Sequence, residues 1–300
     1  MSAATLGYAR LQGRSRRLEL DPILLLAAGG LLVLGLVMVA SASITVADRT
    51  LGDPFFYLQR QALYAGLGIA AATLAVNIPT VVWERMAFVL LLLAFLMLVL
   101  VLIPGIGYEV NGSRRWIRLG VMNFQVSELA RVLLLMYLAS YIVRRQGELR
   151  ESLNGFLKPL GLLLAAAGLL LAEPDFGAAT VLVATGLGML FLAGVKLRHF
   201  FALVLLAAGG LAALAVTSAY RMKRLVAFLD PWADPFNSGF QLTQSLIAIG
   251  RGELTGVGLG ASVQKLFYLP EAHTDFVFAV FAEEFGLFGS VVLIGLFGTL

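Results

Sequence analysis

The chain has 300 residues, 60% hydrophobic and only 13% charged, with a mean hydropathy of +0.90, a formal charge of +4 and no cysteine. A water-soluble domain is about half apolar and about a quarter charged, so this composition calls for a solvent other than water. Without cysteine there are no disulfides, thiolate metal sites or cysteine nucleophiles, and two histidines, His199 and His273, are too few for the usual zinc centres. The small basic excess is of the kind that anchors membrane loops to anionic lipids, and it gives no reason to expect nucleic acid as a partner.

Residues 1–20 are polar and basic, with Arg10, Arg14, Arg16 and Arg17. Apolar runs follow at 22–43, 62–77, 86–104, 126–143, 158–172, 176–194, 199–219 and 275–300, the second and fifth being short. Runs of about 18 residues or more cross a ~30 Å hydrocarbon core. Backbone groups in lipid must pair within their own segment, so such runs are helices, and the ~10-residue alternation of a barrel is absent. The expected fold is an all-α polytopic membrane protein with eight membrane helices. It forms a single membrane domain over 1–300, with a cytoplasmic tail at 1–20 and a large extracytoplasmic loop at 220–274. The first run is long and has no clear small-residue cleavage site, so it reads as a retained helix. The last run stops at Gly298-Thr299-Leu300 while still apolar, which suggests further helices beyond it.

Orientation follows from the basic residues. The N-terminal arginines place the N-terminus in the cytoplasm, and alternation puts Arg144, Arg145, Arg150, Lys158, Lys196 and Arg198 on the same side. The loops at 44–60, 105–125, 173–175 and 220–274 then lie outside. Two of them carry arginine against the usual bias, at Arg114, Arg115 and Arg118 and at Arg221 and Arg224. Within 220–274, Val226–Leu229 and Leu242–Ile249 are apolar and too short to span, so they read as interfacial or re-entrant pieces. Pro231, Pro235 and the glycines at 250, 252, 256, 258 and 260 break the chain between and after them. No strand or GK[ST] accompanies these glycines, so they are no nucleotide loop.

Ionisable residues near the membrane mark three places. The first is Asn111-Gly112-Ser113-Arg114-Arg115-Trp116-Ile117-Arg118, followed by Phe124-Gln125-Val126-Ser127-Glu128-Leu129-Ala130-Arg131. Glu128 and Arg131 share a helix face and can pair structurally, while the guanidinium groups suit a phosphate. The second is Glu173-Pro174-Asp175-Phe176-Gly177, in a short outer turn, which reads equally as an acidic helix start. The third is Tyr268-Leu269-Pro270-Glu271-Ala272-His273-Thr274-Asp275-Phe276, leading into the last run with Glu283 and Glu284. Here Thr274 or Asp275 is either an N-cap or, for Asp275, a carboxylate held at the membrane–water boundary as a general base.

These segments, with Asp230-Pro231-Trp232, Gly239-Phe240-Gln241-Leu242-Thr243-Gln244-Ser245 and Gln264-Lys265-Leu266, form an ordered set over more than half the chain. The set resembles the SEDS family of peptidoglycan glycosyltransferases. Glu173-Pro174-Asp175-Phe176 and Leu269–Asp275 resemble the family's division branch, whereas the elongation branch tends to have Gln-Pro-Asp-Leu at the first of these. The resemblance implies ten membrane helices, of which eight are visible, and polymerisation of lipid II into glycan strands at the outer face of the bacterial cytoplasmic membrane, at the division septum. It implies a class B penicillin-binding protein as partner, with FtsQ, FtsB and FtsL nearby. It also implies that Asp275 is catalytic, and that Arg114, Arg115, Arg131, Glu128, Lys265 and His273 bind substrate and the growing glycan chain.

The chemistry fits the residue types. A lipid pyrophosphate leaving group is stabilised by cations, and a sugar hydroxyl needs a base. An α-linked donor and a β-linked product require inversion, which one base and in-line displacement supply. A divalent cation, Mg2+ or Mn2+, is compatible with Asp275 as a ligand. Two other readings keep the same residues or helices: a lipid II transporter, which would place its key groups near the midplane with broken helices or inverted repeats, and a non-catalytic scaffold recruiting the penicillin-binding protein.

Overall fold

The computed structural model describes residues 21–110, 113–119, 122–217, 219–266 and 268–300. The basic tail at 1–20 and Asn111-Gly112 lie outside the described residues. Each of the eight apolar runs falls in a helix. In chain order these are α1 (Pro22–Leu51), α2 (Phe56–Asn77), α3 (Thr80–Leu102), α4 (Val126–Arg144), the short α5 (Gln146–Glu151), α6 (Leu153–Ala172), α7 (Phe176–Leu192) and α8 (Leu197–Val216). Then come α9 (Ala219–Leu229), a 3-10 turn at Pro231–Ala233, α10 (Phe240–Arg251) and α11 (Val277–Thr299). Five of them, α1, α3, α4, α6 and α11, are long and apolar enough to cross a membrane; α7 and the first part of α8 are apolar but shorter.

The all-α expectation needs one correction. Residues 108–125 form a three-stranded antiparallel sheet in the order β1 (Tyr108–Val110), β2 (Ser113–Leu119), β3 (Met122–Gln125). Trp116 pairs with Gln125, Ile117 with Phe124 and Arg118 with Asn123. A stretch of polar backbone outside the spans has no helix to satisfy its N–H and C=O groups, and a local meander satisfies them strand to strand.

The contacts group the chain into two compact units, one of residues 21–72 and 219–300, the other of 73–217. In the second unit α3, α4, α6 and α7 pack around Leu98, Val101, Val126, Ala130, Ala166, Leu170, Leu182 and Leu190, all almost fully buried. Small residues such as Ala94 and Ala166 sit where helices meet, as expected when packing rather than water drives association. Large apolar side chains elsewhere on the helices remain open, including Leu192, Leu205 and Val143, and hydrocarbon is the solvent that suits them.

The first unit is built around α11. Met38 and Ala42 of α1, Ala248 of α10, Leu269, Ala272, Ala279, Val280 and Phe281 form its core. Helix α11 is interrupted at Gly286, where φ is 64° and ψ −160°. The broken rungs are filled by the chain after α10. Val257 N donates to Glu283 O at 3.0 Å, Gly258 N to Glu284 O at 3.1 Å, Leu287 N to Glu253 O at 3.0 Å and Phe288 N to Leu254 O at 3.1 Å. Irregular backbone at such depth is tolerated only where protein pairs it. Glycine is required at this crossing: a Cβ on Gly252 would lie 2.0 Å from Ala282 O, and one on Gly256, at φ 80°, 2.1 Å from Glu284 O. The short apolar pieces expected in the loop are helical, within α9 and α10, and the glycine-rich run after α10 packs against α11.

Candidate functional site

The sequence-predicted residues divide between the units. Arg114, Arg115, Glu128, Arg131, Glu173 and Asp175 belong to the second; Lys265, Glu271, His273, Asp275, Glu283 and Glu284 belong to the first.

In the second unit, the two-residue period of β2 puts Ser113, Arg115 and Ile117 on one face and Arg114, Trp116 and Arg118 on the other. On the inner face the Ser113 hydroxyl donates to the Glu173 carbonyl, Ile117 packs on the helical core, and Arg115 Nη1 approaches Asp175 Oδ2 at 3.7 Å. On the outer face Arg114 Nε pairs with Glu109 at 3.2 Å and Arg118 stacks over the Tyr108 ring at 3.4 Å. Arg131 pairs with Glu128 one turn earlier on α4, the i,i+3 contact its spacing foretold.

Asp175 is the N-cap of α7. Its Oδ1 accepts from Ala178 N at 3.0 Å, and its Oδ2 accepts from the Ser127 hydroxyl at 3.4 Å. This agrees with the helix-start reading of the Glu-Pro-Asp turn. Glu173, which caps the C-terminus of α6, is fully buried, and neither carboxyl oxygen has a hydrogen-bond partner among the described residues. Burial pushes its carboxyl up to about 8; the charge of Asp175 adds to the rise and Arg115 opposes it.

In the first unit, the segment before α11 is held by apolar anchors and turns. Leu269 and Ala272 are buried in the core, Leu269 N donates to Gln264 O at 2.9 Å, and Thr274 Oγ1 donates to Glu271 Oε2 at 2.7 Å. The His273 ring lies 4.5 Å from that of Tyr57 at the start of α2. Asp275 follows, exposed, and no hydrogen bond or ion pair reaches its carboxylate among the described residues. The N-cap of α11 is Phe276, with no side-chain cap. The capping reading of Thr274 or Asp275 therefore finds no support, and the carboxylate is left free for chemistry.

Lys265 sits differently from a surface ligand. Its Nζ is buried, 2.7 Å from Glu284 Oε1 and 2.9 Å from the Ser41 hydroxyl of α1. Glu283, also buried, accepts from Val263 N at 3.2 Å, Gln264 N at 3.3 Å and the Ser262 hydroxyl, with Arg251 Nε at 3.8 Å. Sequence reasoning missed Ser41, Arg251 and Ser262. The paired acids in an apolar run were the available signal, since two buried carboxylates demand cations and donors nearby. Among the described residues no group of three or more His, Asp or Glu could hold a metal ion.

A family model described as cell cycle protein, spanning FtsW, RodA and SpoVE, matches residues 22–300. The chain belongs to that family. It is of the FtsW type: the probable peptidoglycan glycosyltransferase FtsW of Thioalkalivibrio sulfidiphilus is 59% identical over 302 residues, covering 99% of this chain and 76% of the relative. The protein of the same name from Hahella chejuensis is 53% identical, covering 100% and 75%. Among solved structures, a peptidoglycan synthase complex that coordinates polymerization and crosslinking matches with a TM-score of 0.71 at 31% identity, over 94% of this chain and 76% of that one. The rod shape determining protein RodA of Thermus thermophilus matches with a TM-score of 0.65 at 30% identity, over 94% and 73%. The FtsW-type relationship agrees with the division-branch reading of the Glu-Pro-Asp-Phe and Leu-Pro-Glu-Ala-His-Thr-Asp segments.

Proposed function

We propose that this membrane glycosyltransferase polymerises lipid II at the outer face of the cytoplasmic membrane with Asp275 as general base. The observation that carries the assignment is the state of that carboxylate: open to solvent, without a hydrogen-bond or ion-pair partner among the described residues, and mounted on a segment anchored by Leu269 and Ala272. A structural carboxylate would be expected to have found a donor; this one is available to take a proton.

In the proposed reaction the acceptor sugar hydroxyl attacks the anomeric carbon of the donor as its proton passes to an Asp275 carboxylate oxygen. The C–O bond to the lipid pyrophosphate breaks on the opposite face, the bonding pair leaves with the pyrophosphate, and the α-linked donor becomes a β-linked product. Separately, Arg114, Arg115 and Arg131 of the second unit are proposed to bind anionic parts of the substrate. Arg114, Arg115 and Arg131 each rest on a carboxylate, Glu109, Asp175 and Glu128, that a phosphate could replace. A divalent cation at Asp275 would have to take its other ligands from substrate phosphate and water, as Mg2+ commonly does, and no step here depends on one.

The eight apolar helices are read as membrane spans, with a cytoplasmic N-terminus and 220–274 outside. A class B penicillin-binding protein is the proposed crosslinking partner, at the septum, with FtsQ, FtsB and FtsL in the same assembly. The interruption of α11 at Gly286 is the one feature favouring a transporter, since broken helices serve there as binding sites. Its unpaired backbone groups are met by backbone from 253–258, which favours the polymerase.

The test is Asp275→Asn in the full-length protein with its partner, given labelled lipid II. Loss of a general base costs about 10²–10⁴ in rate, so glycan synthesis should fall at least ~100-fold in a protein that still inserts and binds its partner. Near-normal synthesis would remove the assignment, and lipid translocation without glycan would favour transport.

A further inference from the structure

We infer that Lys265 and Glu284 are positioning residues for the polymerisation step: their buried ion pair, tied to Ser41, fixes the segment that presents Asp275. The inference rests on the reading of Asp275 as the base.

Three elements meet at this pair. Lys265 opens the segment that ends in Asp275, Glu284 lies on α11, and Ser41 lies on α1. The Lys265 ammonium donates to Glu284 Oε1 at 2.7 Å and to Ser41 Oγ at 2.9 Å, while the Ser41 hydroxyl is 2.9 and 3.1 Å from the two Glu284 oxygens. Lys265 is 6% exposed and Glu284 1%, so the ammonium is turned into the protein. Asp275 sits just before α11, and Glu284 is on that helix. The ion pair therefore closes a loop of chain that runs from Lys265 through Asp275 to Glu284.

Apart from turn hydrogen bonds within the segment, such as Leu269 N to Gln264 O, the contacts that tie it to its surroundings between Lys265 and Asp275 are apolar or aromatic among the described residues: Leu269 and Ala272 in the core, and the His273 ring against Tyr57. Apolar contacts resist pulling apart but permit sliding and rotation. A short, charge-assisted hydrogen bond specifies direction. Glu283 adds a second clasp next to the first, taking the Val263 and Gln264 amides and the Ser262 hydroxyl. Desolvating an ion pair is costly, and apolar residues of equal volume commonly stabilise as well or better. Stability alone is thus a poor reason for a lysine here, whereas setting the register of a catalytic segment is a good one.

The test uses the full-length protein with its penicillin-binding partner and lipid II. Lys265→Met combined with Glu284→Leu removes both charges and leaves neither orphaned. The chain has no cysteine, so a nitroxide on a Tyr268→Cys background, at an exposed site, reports the motion of the segment. We expect a folded protein with KM for lipid II within about twofold, kcat lowered at least ~10-fold as misplacement by a fraction of an ångström implies, and a more mobile label. Unchanged kcat would overturn the inference, as would a raised KM with kcat intact, which would make Lys265 a substrate ligand. Should the double variant not fold, Ser41→Ala, which disturbs no charge, should lower kcat roughly threefold at constant KM; an unchanged kcat there would equally overturn it. Normal polymerisation by Asp275→Asn would instead defeat the base assignment and leave the ion-pair result to be read by itself.

Discussion

Arg114 and Arg115 are adjacent in sequence and face opposite sides of β2, the first paired with Glu109 at 3.2 Å and the second directed to Asp175 at 3.7 Å. One phosphate cannot be gripped by both from the same side, so the two should respond differently to substitution. The Arg114–Glu109 pair is exposed, and its loss should change stability by no more than about 0.5 kcal/mol. Arg114→Gln should therefore melt like the parent while its KM for lipid II rises. Arg115→Gln removes the cation beside a buried Asp175 and should cost on the order of 1 kcal/mol or more. Equal melting midpoints for the two variants would contradict the opposite-face placement.

Glu173 gives a pH dependence with a definite sign. Burial raises its carboxyl from 4.5 to about 8, so the folded protein holds a proton that the unfolded chain releases. Stability is then full below about 4.5, falls as pH rises, and levels off above about 8. Glu173→Gln stays neutral throughout. Melting in detergent between these limits should show the variant gaining on the parent with rising pH; parallel curves would show that Glu173 does not titrate there.

Gly256 lies where the chain after α10 crosses α11. Alanine there would need a left-handed backbone, about 1–3 kcal/mol, and its Cβ would meet the Glu284 carbonyl at 2.1 Å. Gly256→Ala should lower the melting midpoint markedly, whereas Gly258→Ala, whose Cβ meets nothing within 4 Å, should pay only the backbone term. Equal losses would mean the crossing is looser than described.

The outer placement of 220–274 is checked by labelling. Phe236 is among the most exposed apolar residues, and no native cysteine interferes. A Phe236→Cys protein in intact cells should react with a membrane-impermeant maleimide added outside. Reaction only after the membrane is opened would invert the topology.

The helical frame was legible because hydrocarbon imposes long apolar runs, and each run at 22–43 through 275–300 falls in a helix. The sheet was not: its strands are short, and arginine-rich β2 shows its alternation only once Ser113, Arg115 and Ile117 are read against Arg114, Trp116 and Arg118. The catalytic role of Asp275 could be proposed from its motif, yet the lack of a side-chain cap and of partners among the described residues is a tertiary fact. Ser41 was invisible, since a serine in an apolar helix, with Ser43 and Thr45 close by, carries no sign of a lysine 224 positions away.

The break at Gly286 divides the labour of α11. The part before the glycine is hydrogen-bonded to the chain after α10 at Val257 and Gly258 and carries Glu283 and Glu284, so mechanically it is coupled to that chain. The part after it presents Phe288, Val291, Val292 and Ile294 outward and belongs to the bilayer. A change in tilt of the part after the glycine can be absorbed at Gly286 without moving the segment that carries Asp275.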